Sequence, residues 1–176
     1  YASNTYGLTV HNGNLFSANF PDDTFDAIVL SHIIEHVYDP VALLAECRRI
    51  IKASSPIVLI TPNIESWGHL KYKKNWRGLE PPRHIMVHSM NSLRKCAEAS
   101  NLDNIKLSTT PAGCEYILRK SFDCKQEEDC GRYAAQDIGL RFFLKRLHIL
   151  NEEFYEYKKW KVDKNIGEEI VMICSK

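Results

Sequence analysis

Phe25-Asp26-Ala27-Ile28-Val29-Leu30-Ser31-His32-Ile33-Ile34-Glu35-His36-Val37-Tyr38-Asp39-Pro40 is the stretch that decides the fold. Phe25 to Ser31 is a largely apolar run, which predicts a parallel strand covered on both faces. Asp39 suits a helix N-cap and Pro40 the first helical position. Between strand and helix stand His32, Glu35 and His36. In an open α/β sheet, ligands bind in the crevice outside the carboxyl ends of the strands. These three ionisable side chains are therefore delivered to the place where such folds do their chemistry.

The neighbouring segments extend this pattern. Val41, Leu44, Cys47, Arg48 and Ile51 recur at helical spacing, predicting a helix to about Lys52. Ser54-Ser55-Pro56 breaks it, and Ile57 to Thr61 reads as a second buried strand, stopped by Pro62-Asn63. Strand, helix, strand without a hairpin turn predicts a right-handed parallel crossover. Upstream, Leu8-Thr9-Val10 reads as a short strand. Downstream, Ile64 to His88 is irregular. Ser89 then caps a helix with Leu93, Cys96 and Ala97 on its apolar side, and Asn101 ends it. Ile105 to Thr109 alternates as a half-exposed strand, and Arg132 to about Lys159 reads as a helix. Leu140, Leu144, Leu147, Asn151 and Phe154 trace a stripe along it, either a packing face or a lid or dimer face. Glu169 to Ser175 is a final strand. The expected fold class is α/β: one partial domain over residues 1–176, with a mostly parallel sheet and a helical insertion at 121–167 before the last strand.

A chain of 176 residues can bury a real core. Its formal net charge of +1 gives no electrostatic case for nucleic acid or an acidic membrane as partner. No apolar run approaches the ~20 residues of a membrane span, and Tyr1 to Tyr6 is too polar for a signal peptide. The six cysteines form no C-x-x-C pair and read as thiols in a reducing cytosol. A cytoplasmic setting is expected. Cys124 and Cys130 flank a polar segment, where pairing or metal binding is the alternative.

Two constellations carry chemistry. In His32-x-x-Glu35-His36, positions i, i+3 and i+4 share a face if the chain turns helically. Imidazole with carboxylate suits a divalent ion, and His84 and His88 could complete its shell. The alternative is that Glu35 and His36 only order the turn. In Trp76-Arg77-Gly78-Leu79-Glu80-Pro81-Pro82-Arg83-His84, Arg83 can fork onto a carboxylate or phosphate. Trp76 can stack on a flat or sugar-like ring, or it packs on the core under an ordinary surface loop. Asn63, at the end of a buried strand, reads as a crevice residue or a turn cap.

Taken together, these residues resemble the class I S-adenosylmethionine-dependent methyltransferases, in the later part of their domain. Gly13-Asn14-Leu15 and Phe20 to Asp26 are similar to the adenine loop and the entry to the fourth strand. Ile34 to Pro40 resembles the family's EHV-x-DP turn. Arg48 to Lys52 and Ile60 to Asn63 resemble the following helix and fifth strand. Trp76 to His84 looks like a branch associated with bacterial surface-glycan pathways.

The resemblance implies a Rossmann-like methyltransferase fold, truncated at its N-terminus, with S-adenosylmethionine as cofactor. It places Asn14 and Leu15 beside adenine, and Ser31 and His32 at the methionine end. His36 or His84 would be a base. Trp76, Arg83 and His84 would surround a small polar acceptor such as a hydroxyl or amine of a sugar-like compound. Some related RNA and ubiquinone-pathway enzymes carry a Glu-His element linked to a divalent ion, which here would involve His32, Glu35 and His36. Asn14 stands where the family commonly has Asp. The G-x-G turn and the acidic residue of the second strand have no counterpart. The chain alone is therefore expected to bind the cofactor weakly and to be inactive, and an uncovered sheet edge invites self-association as a homodimer. The rival readings are a non-catalytic remnant used for binding or assembly, and a metal-binding hydrolase using His32, Glu35 and His36.

Overall fold

The structure is a computed structural model that describes residues 5–129 and 138–176, with side chains described outside 126–143. Cys130, and with it the considered pairing to Cys124, lies outside the described residues, as do the start of the helix expected from Arg132 and the side chain of Leu140. The described elements are β1 (Ile28–Ser31), α1 (Pro40–Ile50), β2 (Pro56–Pro62), α2 (Trp67–Tyr72), α3 (Met90–Ala99), β3 (Asp103–Thr110), α4 (Cys114–Asp129), α5 (Ile138–Val162) and β4 (Glu169–Ser175).

The strands form one sheet in the order β1-β2-β4-β3. β1 and β2 are parallel, whereas β4 runs antiparallel to both β2 and β3. The sheet is thus mixed, which corrects the mostly parallel expectation: the long helical connection before β4 returns the chain to the far end of the sheet. β1 is also shorter than the apolar run suggested. Among the described residues it has a neighbouring strand on one side only, and Phe25 makes an isolated bridge to Ile51. Leu30 is buried while Val29 is 62% exposed, so the strand is covered on one face, not both. Leu8 to Val10 forms no strand and is exposed.

The main core lies on one side of the sheet. Ile57, Leu59, Ile170, Met172 and Cys174 alternate toward it and meet Leu43, Leu44 and Cys47 of α1 and Leu93 and Ala97 of α3. Fully burying one such aliphatic side chain is worth about 1.5–3 kcal/mol, so this cluster dominates the favourable packing. On the opposite face the register sets Val29 beside Val58 and Val58 beside Ile173. Ile173 is 44% exposed there. The helix ends follow the sequence. Asp39 accepts a hydrogen bond from Ala42 N at 2.8 Å and Pro40 opens α1. Ser89 and Ser92 form a reciprocal cap on α3.

The segment 64–88 is more regular than its sequence suggested. Ser66 caps α2 by accepting from His69 N at 3.0 Å, and short 3-10 turns follow at 73–75 and 77–79. These pack with α4 into a second cluster around Tyr72, Trp76 and Leu118. Trp76 is buried, and its indole Nε1–H donates to Glu168 Oε2 at 2.9 Å. Gly78 lies against the ring: a Cβ there would sit 2.3 Å from Trp76 Cζ2. α4 and α5 pack on each other between β3 and β4 in sequence, and Trp160 Nε1–H fixes α5 to Thr109 O at 3.0 Å.

Candidate functional site

The carboxyl ends of β1 and β2 and the start of antiparallel β4 share one edge of the sheet, because Pro62 pairs with Glu169. The chain leaves β1 through His32, whose φ of 51° is left-handed. A non-glycine residue held in that region costs about 1–3 kcal/mol. The turn brings the imidazole back between two acids. Nδ1 lies 3.3 Å from Glu35 Oε1 and Nε2 lies 3.2 Å from Glu169 Oε1. Glu169 first and Glu35 second push the His32 pKa up to about 10, against the opposing effect of partial burial. The two acids thus favour the protonated form of His32.

A single 3-10 turn, Ile34 to His36, follows. Glu35 is fully buried in it. Thr61 Oγ1–H donates to Glu35 Oε2 at 3.0 Å. Burial pulls this carboxyl upward. His32, the Glu35 main chain and Thr61 together outweigh burial and hold it below the usual carboxylate range. The Oε1 contact to His32 is an ion pair rather than an aligned hydrogen bond, and it leaves Oε1 without a hydrogen-bond partner. The Glu35 carbonyl accepts from Ile85 N at 2.8 Å and Met86 N at 3.2 Å, which docks the loop after Pro82 onto this turn.

That docking sets two histidine rings together. The His36 and His84 centroids are 4.8 Å apart, edge to face. His36 Nδ1 lies 2.8 Å from Arg83 O, and His84 Nδ1 lies 2.6 Å from Gly78 O. A carbonyl can only accept, so each Nδ1 carries the proton. Glu80 Oε1 takes both Arg77 Nη2 at 2.6 Å and Arg83 Nη1 at 2.7 Å. Its Oε2 stands 3.7 Å from His84 Nε2.

The structure sorts the expected residues. His32, Glu35, His36 and His84 share one site, as does the main chain of Arg83. Ligand atoms of Glu35, His36 and His84 lie within 4.8 Å of one another, while His32, expected with the first two, lies between Glu35 and Glu169. Trp76 leaves the acceptor set as a stacking surface: it is a core residue tied to Glu168. Arg83 remains exposed and is engaged by Glu80. Ser31 is exposed at the end of β1. Asn14 Oδ1 accepts from Ser17 N at 2.8 Å, so its carbonyl serves a local turn, while Leu15 packs against the main core. Asn63 is structural. Its Nδ2 donates to Asn165 O and to Gly167 O, each at 2.9 Å, holding the entry to β4. His88 is buried on Ser92 Oγ at 3.3 Å, and burial lowers its pKa.

Three residues of the site were missed from sequence. Thr61 shares the inward face of β2 with Ile57 and Leu59, a period-two signal that could have found it. Glu80 lies within the loop already singled out. Glu169 is contributed from the far end of the chain, and no local signal marks it.

Comparison with known proteins gives the family. The profile of a methyltransferase domain matches residues 4–107. A protein of Mycolicibacterium smegmatis named "Probable S-adenosylmethionine-dependent methyltransferase" is 32% identical over 56 residues, 32% of this chain and 22% of that one. The matched segment thus spans about a fifth of that relative. An S-adenosylmethionine-dependent methyltransferase of Archaeoglobus fulgidus shares the fold with a TM-score of 0.58 at 17% identity, over 98% of this chain and 69% of that chain. One of Thermotoga maritima, titled a "possible histamine N-methyltransferase", does so at 0.59 and 16% identity, over 98% and 66%. A [4+2]-cyclase reaches 0.58 at 12% identity, over 99% of this chain and 59% of that one. The fold alone therefore does not name a reaction. The Rossmann-like methyltransferase architecture and the profile over most of the chain agree, and this protein belongs to the methyltransferase domain family.

Proposed function

We propose that this chain forms the acceptor-facing part of an S-adenosylmethionine-dependent methyltransferase acting on a small polar acceptor, a hydroxyl or amine of a sugar-like compound. The observation that carries this reading is the His36–His84 pair. Both rings donate Nδ1–H to main-chain carbonyls, which in the neutral imidazole puts the lone pair on Nε2. They sit at the edge of the sheet where open α/β folds bind ligands. Methyl transfer is an in-line displacement, for which the protein supplies orientation and a base. One Nε2 would take the acceptor proton as the methyl group arrives. Arg83, exposed beside them, would hold a carboxylate or phosphate of the acceptor. The S-adenosylmethionine that the family uses would supply the methyl group and lie against Ser31 and Leu15.

The chain by itself is expected to hold this cofactor weakly. Asn14 is turned to Ser17, and none of the glycines falls in a G-x-G pair. Each missing hydrogen bond to a charged ligand group forfeits about 1.5–3 kcal/mol, so two or three weaken binding by several powers of ten.

Transfer of labelled methyl from S-adenosylmethionine to sugar nucleotides and small amines, measured on the gene product, tests the reading. His36→Ala is expected to lower kcat by about 100-fold or more while the melting temperature moves little. Wild-type turnover in a folded His36→Ala protein would reject the base.

A further inference from the structure

We propose that the outward face of α5 docks this protein on an anionic lipid surface, with the helix lying in the plane of that surface. α5 is turned the wrong way for a helix held by apolar packing alone. The side chains it buries are Ile149, Glu152 and Glu156. Those it shows to solvent include Leu144, Leu147, Leu150, Phe154, Tyr155 and Tyr157, each between 44% and 55% exposed. At about 100° per residue these six span about 160° of the helix. A surface helix of a globular domain turns such a stripe to the core; this one turns it away.

The charges on that face select the partner. Among the described side chains from 144 to 162, the exposed charged ones are Arg146, Lys158, Lys159 and Lys161, all cations. The acids of the same stretch, Glu152, Glu153 and Glu156, are buried or half-buried, and Lys71 pairs with Glu152. The net charge of +1 for the whole chain conceals this segregation. Lys158 Nζ lies 4.4 Å from the Phe154 ring centre, and Lys161 Nζ lies 4.7 Å from that of Tyr157. Their stems follow the apolar face while the charged heads stay exposed, the habit of long cations at a membrane interface. Leu, Phe and Tyr on one face, with Lys and Arg beside them, mark a helix that lies in the headgroup layer. No described helix is long and apolar enough to cross a membrane.

A second copy of the chain fits this face less well. A parallel pair of α5 helices would set Lys158 and Lys161 against themselves. An antiparallel pair would bring them toward Arg146. Neither pair offers them an exposed acid of α5, and like charges across an interface oppose association. Lipid phosphates supply the missing anions, and each Lys or Arg near such a surface strengthens binding about fivefold. The site stays close by. Glu169, which holds His32, follows Val162 by seven residues (169 − 162). The strand-end crevice therefore lies within about 25 Å of the end of the docked helix.

The test uses the whole chain and needs no methyl donor, so its failure is separate from failure of the methyltransferase reading. Binding is read by sedimentation with vesicles of phosphatidylcholine alone, or of phosphatidylcholine and phosphatidylglycerol in equal parts. The mixed vesicles should bind at least about 100-fold more tightly, and about 0.5 M salt should remove most of that difference. Lys158→Glu, Lys159→Glu and Lys161→Glu together should weaken binding to them by at least about 100-fold. Arg94→Glu, Lys95→Glu and Lys106→Glu make the same change of charge at exposed positions elsewhere and should leave most of it. Leu147→Ser with Phe154→Ser keeps every charge and should weaken it by at least about tenfold. If the lysine variant fails to fold, the serine variant and the lipid and salt dependence of the wild type decide. A folded wild type that ignores mixed vesicles at about 1 mM lipid would overturn the proposal. So would equal binding to both kinds of vesicle, full binding by either α5 variant, or an equal loss in the control. A lipid-independent dimer in light scattering that Leu147→Ser with Phe154→Ser splits would also overturn it, and would give the face to a second copy.

Discussion

Gly78→Ala is expected to be among the most damaging single-methyl changes in this protein. The added carbon would stand 2.3 Å from Cζ2, 2.4 Å from Cη2 and 2.6 Å from Cε2 of Trp76. Carbon atoms pack at about 3.5–4.0 Å, so the ring must retreat by at least about 1.2 Å. It is a rigid, buried ring with little room. Retreat also pulls Nε1 from Glu168 Oε2, now at 2.9 Å, beyond hydrogen-bond range. Overpacking costs about 1–3 kcal/mol, and leaving a buried polar partner unpaired costs about 1–3 kcal/mol. The two overlap, so a loss of about 3 kcal/mol is expected. With a urea slope of about 2 kcal/mol/M, the midpoint should fall by about 1.5 M with the slope unchanged. A double-mutant cycle isolates the cause. Trp76→Phe removes the atoms that clash, so Gly78→Ala should cost at least about 1 kcal/mol less in that background. A midpoint within about 0.3 M of wild type, or strictly additive variants, would show that the indole is not the wall.

Two further outcomes concern stability. Burial holds the carboxyls of Glu156 and Glu168 above the usual range. Glu168 adds to the effect on Glu156, whose neighbours are Cys114 and Glu153. Trp76, Gly68 and Ser66 oppose it at Glu168, which Glu169 also pushes upward. The folded state thus keeps protons that the unfolded chain releases above the ordinary value of 4.5, so stability should fall as pH rises from about 5 to about 8. Glu156→Gln should flatten that slope in urea melts at the two pH values, and an unchanged slope would reject the assignment. Asp39→Ala removes the cap on Ala42 N and should cost about 1 kcal/mol, seen as a fall of about 2–4 °C in Tm by calorimetry.

Much of the fold was legible because local chemistry agreed with the tertiary outcome. Asp39-Pro40, Ser89 and the apolar runs of β2 and β4 each name their own element. What escaped is what only neighbours determine. The apolar run before His32 looks the same whether one or both faces are covered, so the edge position of β1 was invisible. α4 begins without a capping side chain that the sequence reveals, and its apolar residues face a cluster built from the 64–88 loop. The site was half legible. His36 and His84 stood out as chemistry-bearing residues. Trp76, with the same apparent credentials, belongs to the core because Gly78 and Glu168 make a slot for it. The role of His32 turned on Glu169, which is 137 positions away (169 − 32) and placed only by sheet pairing.

The position of β4 also has a consequence for how the molecule is made. It is the last described element to leave the ribosome, yet it occupies an interior place in the sheet, between β2 and β3. Until Glu169 to Ser175 emerge, β2 has one free side and β3 has no strand beside it. Pairings such as Ile57 with Cys174 span more than a hundred residues, and such non-local closure is slow. The nascent chain therefore waits with Val58, Ile60 and Leu107 uncovered, the condition in which strands find wrong partners. A stop codon or a proteolytic nick just before Glu169 would remove all of β4, and with it the strand that joins the two halves of the sheet.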